Sequence, residues 1–361
     1  MKSNGLSKKL LSSLDHFIPD RRIRMTRVAE KNIKAAITAV GGYVPEDVLT
    51  NADLEQMVDT SDEWITTRTG IKQRRILKDP TKATSYMAIQ AAENVLTKSQ
   101  TAAADIDMLI LATITPDMKV AATAAKVATD IGAFNAFAFD LQAACSGFLY
   151  GMSVAAAKIE AGHAKKILVV GADKMSSIVD YTDRTTCIIF GDGAGAVLME
   201  ASTNGYGRED DYLRSNGVGQ AYLNIKAGGS LHPTTEETLA KGWDAIYQDG
   251  KTVFKYAVSE MAGAAQKVME RNGLTPQNLD YIIAHQANKR ILDATQKRVQ
   301  VGTNQLLTNI QHYGNTTAAT LPLLLRDYEA HFKTGDRLLF TAFGGGFTWG
   351  ASYYTWAYSL K

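Results

Sequence analysis

A layered α/β fold is predicted by three observations. Strand-like and helix-like runs alternate from residue 31 to the C-terminus, the second half repeats the coarse alternation of the first, and a polar, glycine-rich stretch at 202–219 separates them. The first strand is expected at 31–40. Apolar residues at 108–113 give the next, and 121–129 has helical spacing. Residues 134–141 read as a buried strand. Phe148, Met152, Ala155 and Ile159 then recur at helical intervals over 147–161, and 166–170 is again strand-like. The run 185–200 reads as a strand pair turned around Gly191-Asp192-Gly193. Beyond the boundary the pattern predicts a long helix at 253–271, a strand at 279–284, helices at 289–299 and 318–331, and a strand at 337–343. No internal identity is strong enough to prove a duplication.

Residues 1–30 differ from the rest. Lys8, Lys9, Arg21, Arg22, Arg24 and Arg27 make them basic, Leu6, Leu10, Leu11 and Leu14 have helical spacing, and the apolar core and cleavage pattern of a secretory signal are missing. A surface extension is expected, followed by two halves, 31–205 and 206–361. The 39 basic and 37 acidic residues nearly cancel, so nothing points to a nucleic-acid partner. No apolar run is long enough to cross a membrane. Two cysteines give no disulfide framework, and neither has a metal-ligand cluster near it. A reducing, cytoplasmic setting is expected.

Cys145 stands where a strand pattern gives way to a helix pattern. At that junction the first helix amides and the helix dipole are expected to favour the thiolate, the form that attacks a carbonyl carbon. Cys187, in an apolar run, reads as a core residue. The second half supplies the partners a nucleophile needs. His285 ends an apolar strand in His285-Gln-Ala-Asn288 and can move a proton or donate a hydrogen bond near neutral pH. Asn315, in Tyr313-Gly-Asn-Thr-Thr317, can donate without ionising to an oxygen that turns negative. Taken singly, these would read as a satisfied strand-end histidine and a helix cap. Gly344-Gly-Gly346 allows the close backbone approach that an amide cradle requires. It is not a phosphate loop, because the lysine and Ser/Thr of that motif are missing. Gly191-Asp-Gly-Ala-Gly195 likewise fails as a dinucleotide fingerprint.

Together, Ala143-Ala-Cys-Ser-Gly147, His285-Gln-Ala-Asn288, Tyr313-Gly-Asn-Thr-Thr317, Gly344-Gly-Gly346 and Thr348-Trp-Gly350 resemble the signatures of β-ketoacyl-acyl-carrier-protein synthase III, within the thiolase-like superfamily. The resemblance runs from about residue 33 to the C-terminus. It implies a thiolase-like fold of two similar halves with mixed sheets in an αβαβα arrangement, in a homodimer. It implies Cys145, His285 and Asn315 as the catalytic set and the amides of Cys145 and Gly346 as the oxyanion site. The implied reaction moves an acyl group from coenzyme A to Cys145. Malonyl-acyl carrier protein then loses carbon dioxide and condenses with that group to give a β-ketoacyl thioester, which initiates fatty acid synthesis. Acyl-coenzyme A is a substrate here, and neither metal nor redox cofactor is expected.

By position, the resemblance implies that Trp64 and Arg184 sandwich the adenine of coenzyme A, with Arg68 structural or near the nucleotide. The alternatives are a buried tryptophan and a solvated arginine. Lys289, Arg290, Lys297 and Arg298 correspond to positions that receive the acidic helix of acyl carrier protein; their alternative is a solvated charged face. The sequence departs from the family at Val120-Ala121, where a bulky residue with proline is common and the segment reaches the neighbouring subunit's acyl pocket. Val120 is therefore expected to widen the choice of starter. Two other functions stay open: a related condensing enzyme of secondary metabolism with another starter or acceptor, and a non-catalytic acyl-binding protein.

Overall fold

The computed structural model describes residues 33–360, and the predicted extension at 1–30 lies outside them. Two sheets carry the chain. The first runs in the order Lys34–Tyr43, Gly193–Ser202, Lys166–Asp173, Met108–Ala112, Phe137–Leu141, antiparallel across the first two pairings and parallel across the last two. The second runs Tyr281–Ala284, Arg337–Gly344, Thr348–Thr355, Gly207–Ser215, with one parallel pairing followed by two antiparallel ones. Both sheets are mixed, and residues Ile33–Lys361 pack as one unit.

Helices Gly147–Glu160 and Thr320–Tyr328 form the middle layer. Phe148, Met152 and Ile159 from one helix and Leu321, Leu324 and Leu325 from the other share a core with Ile110, Val169 and Val197 of the first sheet and Leu338, Phe340 and Tyr354 of the second. That central core is apolar on all sides, which is why these two helices lack a wide polar face. Helices Thr84–Ser99 and Thr123–Asp130 cover the outer face of the first sheet, and Gly250–Arg271 with Lys289–Val299 cover that of the second. The result is the predicted αβαβα layering. Gly171 shows how closely the layers meet: a Cβ there would lie 2.3 Å from the Ala318 carbonyl oxygen.

Two expectations are corrected. The segment read as a buried strand at 134–141 contains a strand only at Phe137–Leu141, and it is the edge of its sheet; Phe134 is 78% exposed and Phe137 55%. The strand pair expected at 185–200 is one strand, Gly193–Ser202, preceded by turns. Its missing partner is replaced by tertiary contacts. Gly191 N–H donates to the Asn315 carbonyl at 3.1 Å, and the buried Asp192 carboxylate accepts from Leu77 N, Ser176 N and Ser176 Oγ. The polar stretch 202–219, read only as a separator, also holds the strand Gly207–Ser215, an edge of the second sheet. Charged and polar residues, many half-buried, dominate it, so its alternation gave no clear apolar face. Thr348–Thr355, unassigned in the sequence, pairs along its whole length with Gly207–Ser215.

Candidate active site

Cys145 sits in a 3-10 turn, Ala144–Ser146, that runs directly into the helix Gly147–Glu160. The residue before it, Ala144, has φ of 45°, a left-handed conformation that side-chain-bearing residues rarely adopt. Asn315 lies just ahead of a matching turn, Thr317–Ala319, and Thr317 has φ of 51°. His285 follows the strand Tyr281–Ala284, with its N–H donating to the Thr341 carbonyl at 2.9 Å. These three segments converge on one cavity of about 950 Å³, and Cys145, His285 and Asn315 all line it. That is the size of an ordinary ligand pocket.

Asn315 and His285 are each held by a neighbour that leaves the other end of the side chain free. Asn315 Oδ1 accepts the Thr317 N–H at 2.8 Å, so its NH₂ is the end available to the cavity. The Asn315 backbone is fixed at both ends, its N–H donating to Ile189 and its carbonyl accepting from Gly191. His285 Nδ1 lies 2.7 Å from Thr320 Oγ1, which leaves Nε2 as the other ring nitrogen. Asp173, fully buried and overlooked in the sequence, receives Thr113 Oγ1, Ile114 N, Thr115 N and Thr115 Oγ1 from one side and the Thr317 hydroxyl from the other. It ends the strand Lys166–Asp173, where the sequence pattern gave no hint that an acid terminates an apolar run.

The glycine-rich turn is pressed against the cysteine. A Cβ on Gly344 would lie 2.5 Å from Cys145 N, so only glycine permits this approach. Thr348 clamps the turn: its hydroxyl reaches the Ala143 carbonyl at 2.7 Å and the Gly345 carbonyl at 3.1 Å, and its own carbonyl accepts Ser146 Oγ at 3.0 Å. Among the described residues, neither the Cys145 N–H nor the Gly346 N–H is committed to a backbone carbonyl. Gly346 lines the same cavity. Two free amides beside a thiol can receive an oxyanion.

Electrostatics correct one expectation. Burial pushes the Cys145 thiol up to about 12, the Asp173 carboxylate adds to the rise, and the backbone amide of Cys145 and the Asn315 side chain offset only part of it. The helix dipole does not outweigh desolvation of a residue that is 7% exposed. Burial likewise pushes His285 down to about 3, so its imidazole is neutral. Cys187 is buried beside Ile188 and lies outside the cavity.

At the exposed end, Trp64 and Arg68 line the cavity, and Arg184 stands with them: the Arg68 and Arg184 guanidinium carbons lie 5.5 and 5.4 Å from the Trp64 ring centroid. Trp64 is 37% exposed and not the buried aromatic of the alternative reading. Arg184 also donates to the Asp59 carbonyl and carboxylate. A planar group between Trp64 and Arg184 requires about 7 Å, two van der Waals contacts, so the pair must part slightly to admit one.

The four basic residues divide. Arg290 lines the cavity with its guanidinium 4.9 Å from the Phe254 ring centroid, whereas Lys289 pairs with Asp293. Lys297 is exposed away from the cavity, and Arg298 is fastened to Gln266 and the Ser259 carbonyl of the helix Gly250–Arg271. Val120 does not line this chain's cavity; it is fully exposed, with φ of 76°, at the tip of a tight turn closed by Ala121 N–H to the Lys119 carbonyl.

The sequence model for 3-oxoacyl-[acyl-carrier-protein (ACP)] synthase III matches residues 139–217, and that for its C-terminal part matches 269–356. Similar proteins include the beta-ketoacyl-[acyl-carrier-protein] synthase III of Phocaeicola vulgatus, 53% identical over 91% of this chain and 98% of the relative. That of Chlorobium chlorochromatii is also 53% identical, over 90% of this chain and all of the relative. Among solved structures, the Aquifex aeolicus 3-oxoacyl-[acyl-carrier-protein] synthase III is 40% identical with a TM-score of 0.82, covering 89% of this chain and 100% of that one. The priming beta-ketosynthase of the R1128 polyketide pathway is 29% identical with a TM-score of 0.84, covering 91% of this chain and 97% of that one.

The depressed His285 value has a consequence for stability. Its folded value near 3 lies below the ordinary 6.5, so below pH 6.5 the unfolded chain binds a proton that the folded chain refuses. The stability this group contributes is present above pH 6.5 and is lost as the pH falls toward 3, at up to about 1.4 kcal/mol per pH unit. Urea midpoints measured from pH 7 to 4.5 should therefore fall less steeply in His285→Asn than in the parent. Parallel curves would refute the burial of a neutral imidazole.

Proposed function

This chain belongs to the β-ketoacyl-acyl-carrier-protein synthase III family, the initiating condensing enzymes of fatty acid synthesis, and we propose that Cys145, His285 and Asn315 carry out its reaction. The observation that supports this most is the convergence of the three side chains on one cavity beside two uncommitted amides. In the first half-reaction Cys145 sulfur attacks the thioester carbonyl of acyl-coenzyme A. The oxygen gathers charge against the amides of Cys145 and Gly346, the acyl–sulfur bond to coenzyme A breaks, and the thiol proton ends on the departing sulfur. Because the resting group is a thiol, deprotonation must accompany attack.

In the second half-reaction the malonyl carboxylate leaves as carbon dioxide, and its bonding electrons form an enolate. His285 Nε2 and the Asn315 NH₂ donate to that enolate oxygen. The carbanion carbon attacks the acyl-Cys145 carbonyl, and Cys145 leaves and takes up a proton. Decarboxylation provides the nucleophile, so the chemistry calls for neither metal nor redox group. An unpaired charge would be costly among such buried groups, which suits donors that stay neutral.

Two more parts of the reading concern partners. Arg290, at the cavity rim, is the docking residue for acyl carrier protein best placed by its position, with Lys289 and Lys297 at its flanks and Arg298 held to its own fold. A homodimer joined along the exposed edge strand Phe137–Leu141 would cover Phe134 and Phe137 and bring Val120 to the partner's acyl pocket. Two free cysteines suit a cytoplasmic enzyme, and no helix among the described residues is long and apolar enough to cross a membrane. Similarity to a polyketide priming synthase favours, as the second reading, a specialised pathway using the same chemistry with another starter.

These assignments are tested by acylation, kinetics, sedimentation and competition. Mass spectrometry after a panel of acyl-coenzyme A thioesters should find the acyl group on Cys145 and none on Cys145→Ala, while Asn315→Ala should still acylate but condense about 10²–10³ times more slowly. Normal condensation by Cys145→Ala would end the proposal. Arg290→Glu should lower the rate with malonyl-acyl carrier protein, most at low salt, and leave acylation from coenzyme A thioesters nearly intact. Equal carrier-dependent rates at every salt concentration would remove Arg290 from docking. Sedimentation should give a dimer, and in competition between acetyl- and C4–C8 acyl-coenzyme A the parent should accept longer starters that Val120→Phe excludes. A monomer, or unchanged selection, would separate Val120 from the pocket.

A further inference from the structure

We propose that Thr320 is a positioning residue: its hydroxyl donates to His285 Nδ1, which fixes the imidazole with its hydrogen on Nε2. The proposal rests on the role given above to His285 and names the group that makes that role possible. Thr320 Oγ1 lies 2.7 Å from Nδ1, and both residues are 2% exposed. The direction of the bond follows from where the hydroxyl hydrogen can go.

A buried hydroxyl needs an acceptor for its hydrogen. Thr320 is the first residue of its helix, and the ordinary alternative is the carbonyl four residues earlier. That carbonyl, on Thr316, instead accepts Ala319 N–H at 3.0 Å and lies 2.8 Å from Thr317 Oγ1. Thr320 Oγ1 makes no bond to it, nor to any other acceptor among the described residues, so Nδ1 is the destination within reach. A neutral imidazole has one N–H, and an Nδ1 that accepts places that hydrogen on Nε2. His285 lines the cavity, where an Nε2 donor meets an oxygen that gains charge. With the opposite tautomer the same ring would present a lone pair and repel it. Asn315 is held by the same logic, its acceptor occupied by Thr317 N–H, so one turn, 315–320, sets both donors.

The test uses the full-length protein. Nitrogen-15 NMR of the histidine side chains, with the His285 signals assigned by their loss in His285→Asn, should show the parent's His285 protonated at Nε2 and not at Nδ1. That arm reads the ring directly, so it stands whether or not the assigned reaction is correct and whether or not any Thr320 variant folds. A His285 protonated at Nδ1 overturns the proposal. In kinetics, Thr320→Val should keep acylation of Cys145 by acetyl-coenzyme A near the parent rate while decarboxylation of malonyl-acyl carrier protein falls at least about tenfold. Thr320→Ser, which retains the hydroxyl, should restore it. An equal decarboxylation rate in folded Thr320→Val, or a Thr320→Ser variant no better than valine, also overturns it, because a merely structural threonine would not divide the half-reactions.

Discussion

The buried carboxylate of Asp173 is the junction on which the rest of the site depends. It closes the strand Lys166–Asp173 in the middle of the first sheet, and its oxygens collect donors from the loop after Met108–Ala112 and from Thr317 in the second half. Burial raises its proton affinity, and each donated hydrogen bond lowers it. The acid is tolerable at full burial only because so many donors surround it. Thr317 is thereby fixed, its N–H fixes Asn315, and Asn315 faces Cys145. A single acid thus ties the first sheet to the turn before the helix Thr320–Tyr328 and places a donor from the second half beside a thiol from the first.

Burial explains why Cys145 and His285 rest uncharged. Desolvation moves Cys145 and His285 in opposite directions, yet both shifts lead to the neutral form at pH 7. In the proposed reaction fixed dipoles then face charge only when it develops on substrate oxygen, the circumstance in which preorganised donors act most strongly. The glycine turn contributes in the same way, since its amides need no solvent to be reorganised. Thr348, bridging residues 143 and 345, keeps those amides at the cysteine.

The layered fold and the trio that converges on the cavity were legible because they rest on local signals: periodicity for the helices and strand ends, and residue type for a thiol, an imidazole and an amide. Lys289–Val299 matches its expected bounds for that reason, with Asn288 capping it and an apolar face at Ile291, Leu292, Thr295 and Val299. Gly207–Ser215 was not legible, because its sheet position comes from pairing with a strand 130 or more residues away and not from its own pattern. Phe134 and Phe137 misled because apolar character does not tell an interior from an uncovered edge. Asp173, Thr320 and Thr348 act through bonds to residues distant in the chain. No spacing rule announces them. The ionisation of Cys145 was misjudged for the same reason: the helix start is visible in sequence, and the depth of burial is not.

Ala144 and Thr317 open two turns of the same construction, a left-handed residue followed by a 3-10 turn that runs without a break into a central helix. Cys145 and Ala318 therefore occupy equivalent places. One copy of the unit bears the thiol and the other, with a methyl group in its stead, fits its backbone against Gly171. The two halves share no clear internal identity, but the bend that presents a side chain at a helix start is found in both. Mute and armed versions of one device face each other across the molecule's middle, and under the proposed reaction this asymmetry leaves a single acyl carrier per chain.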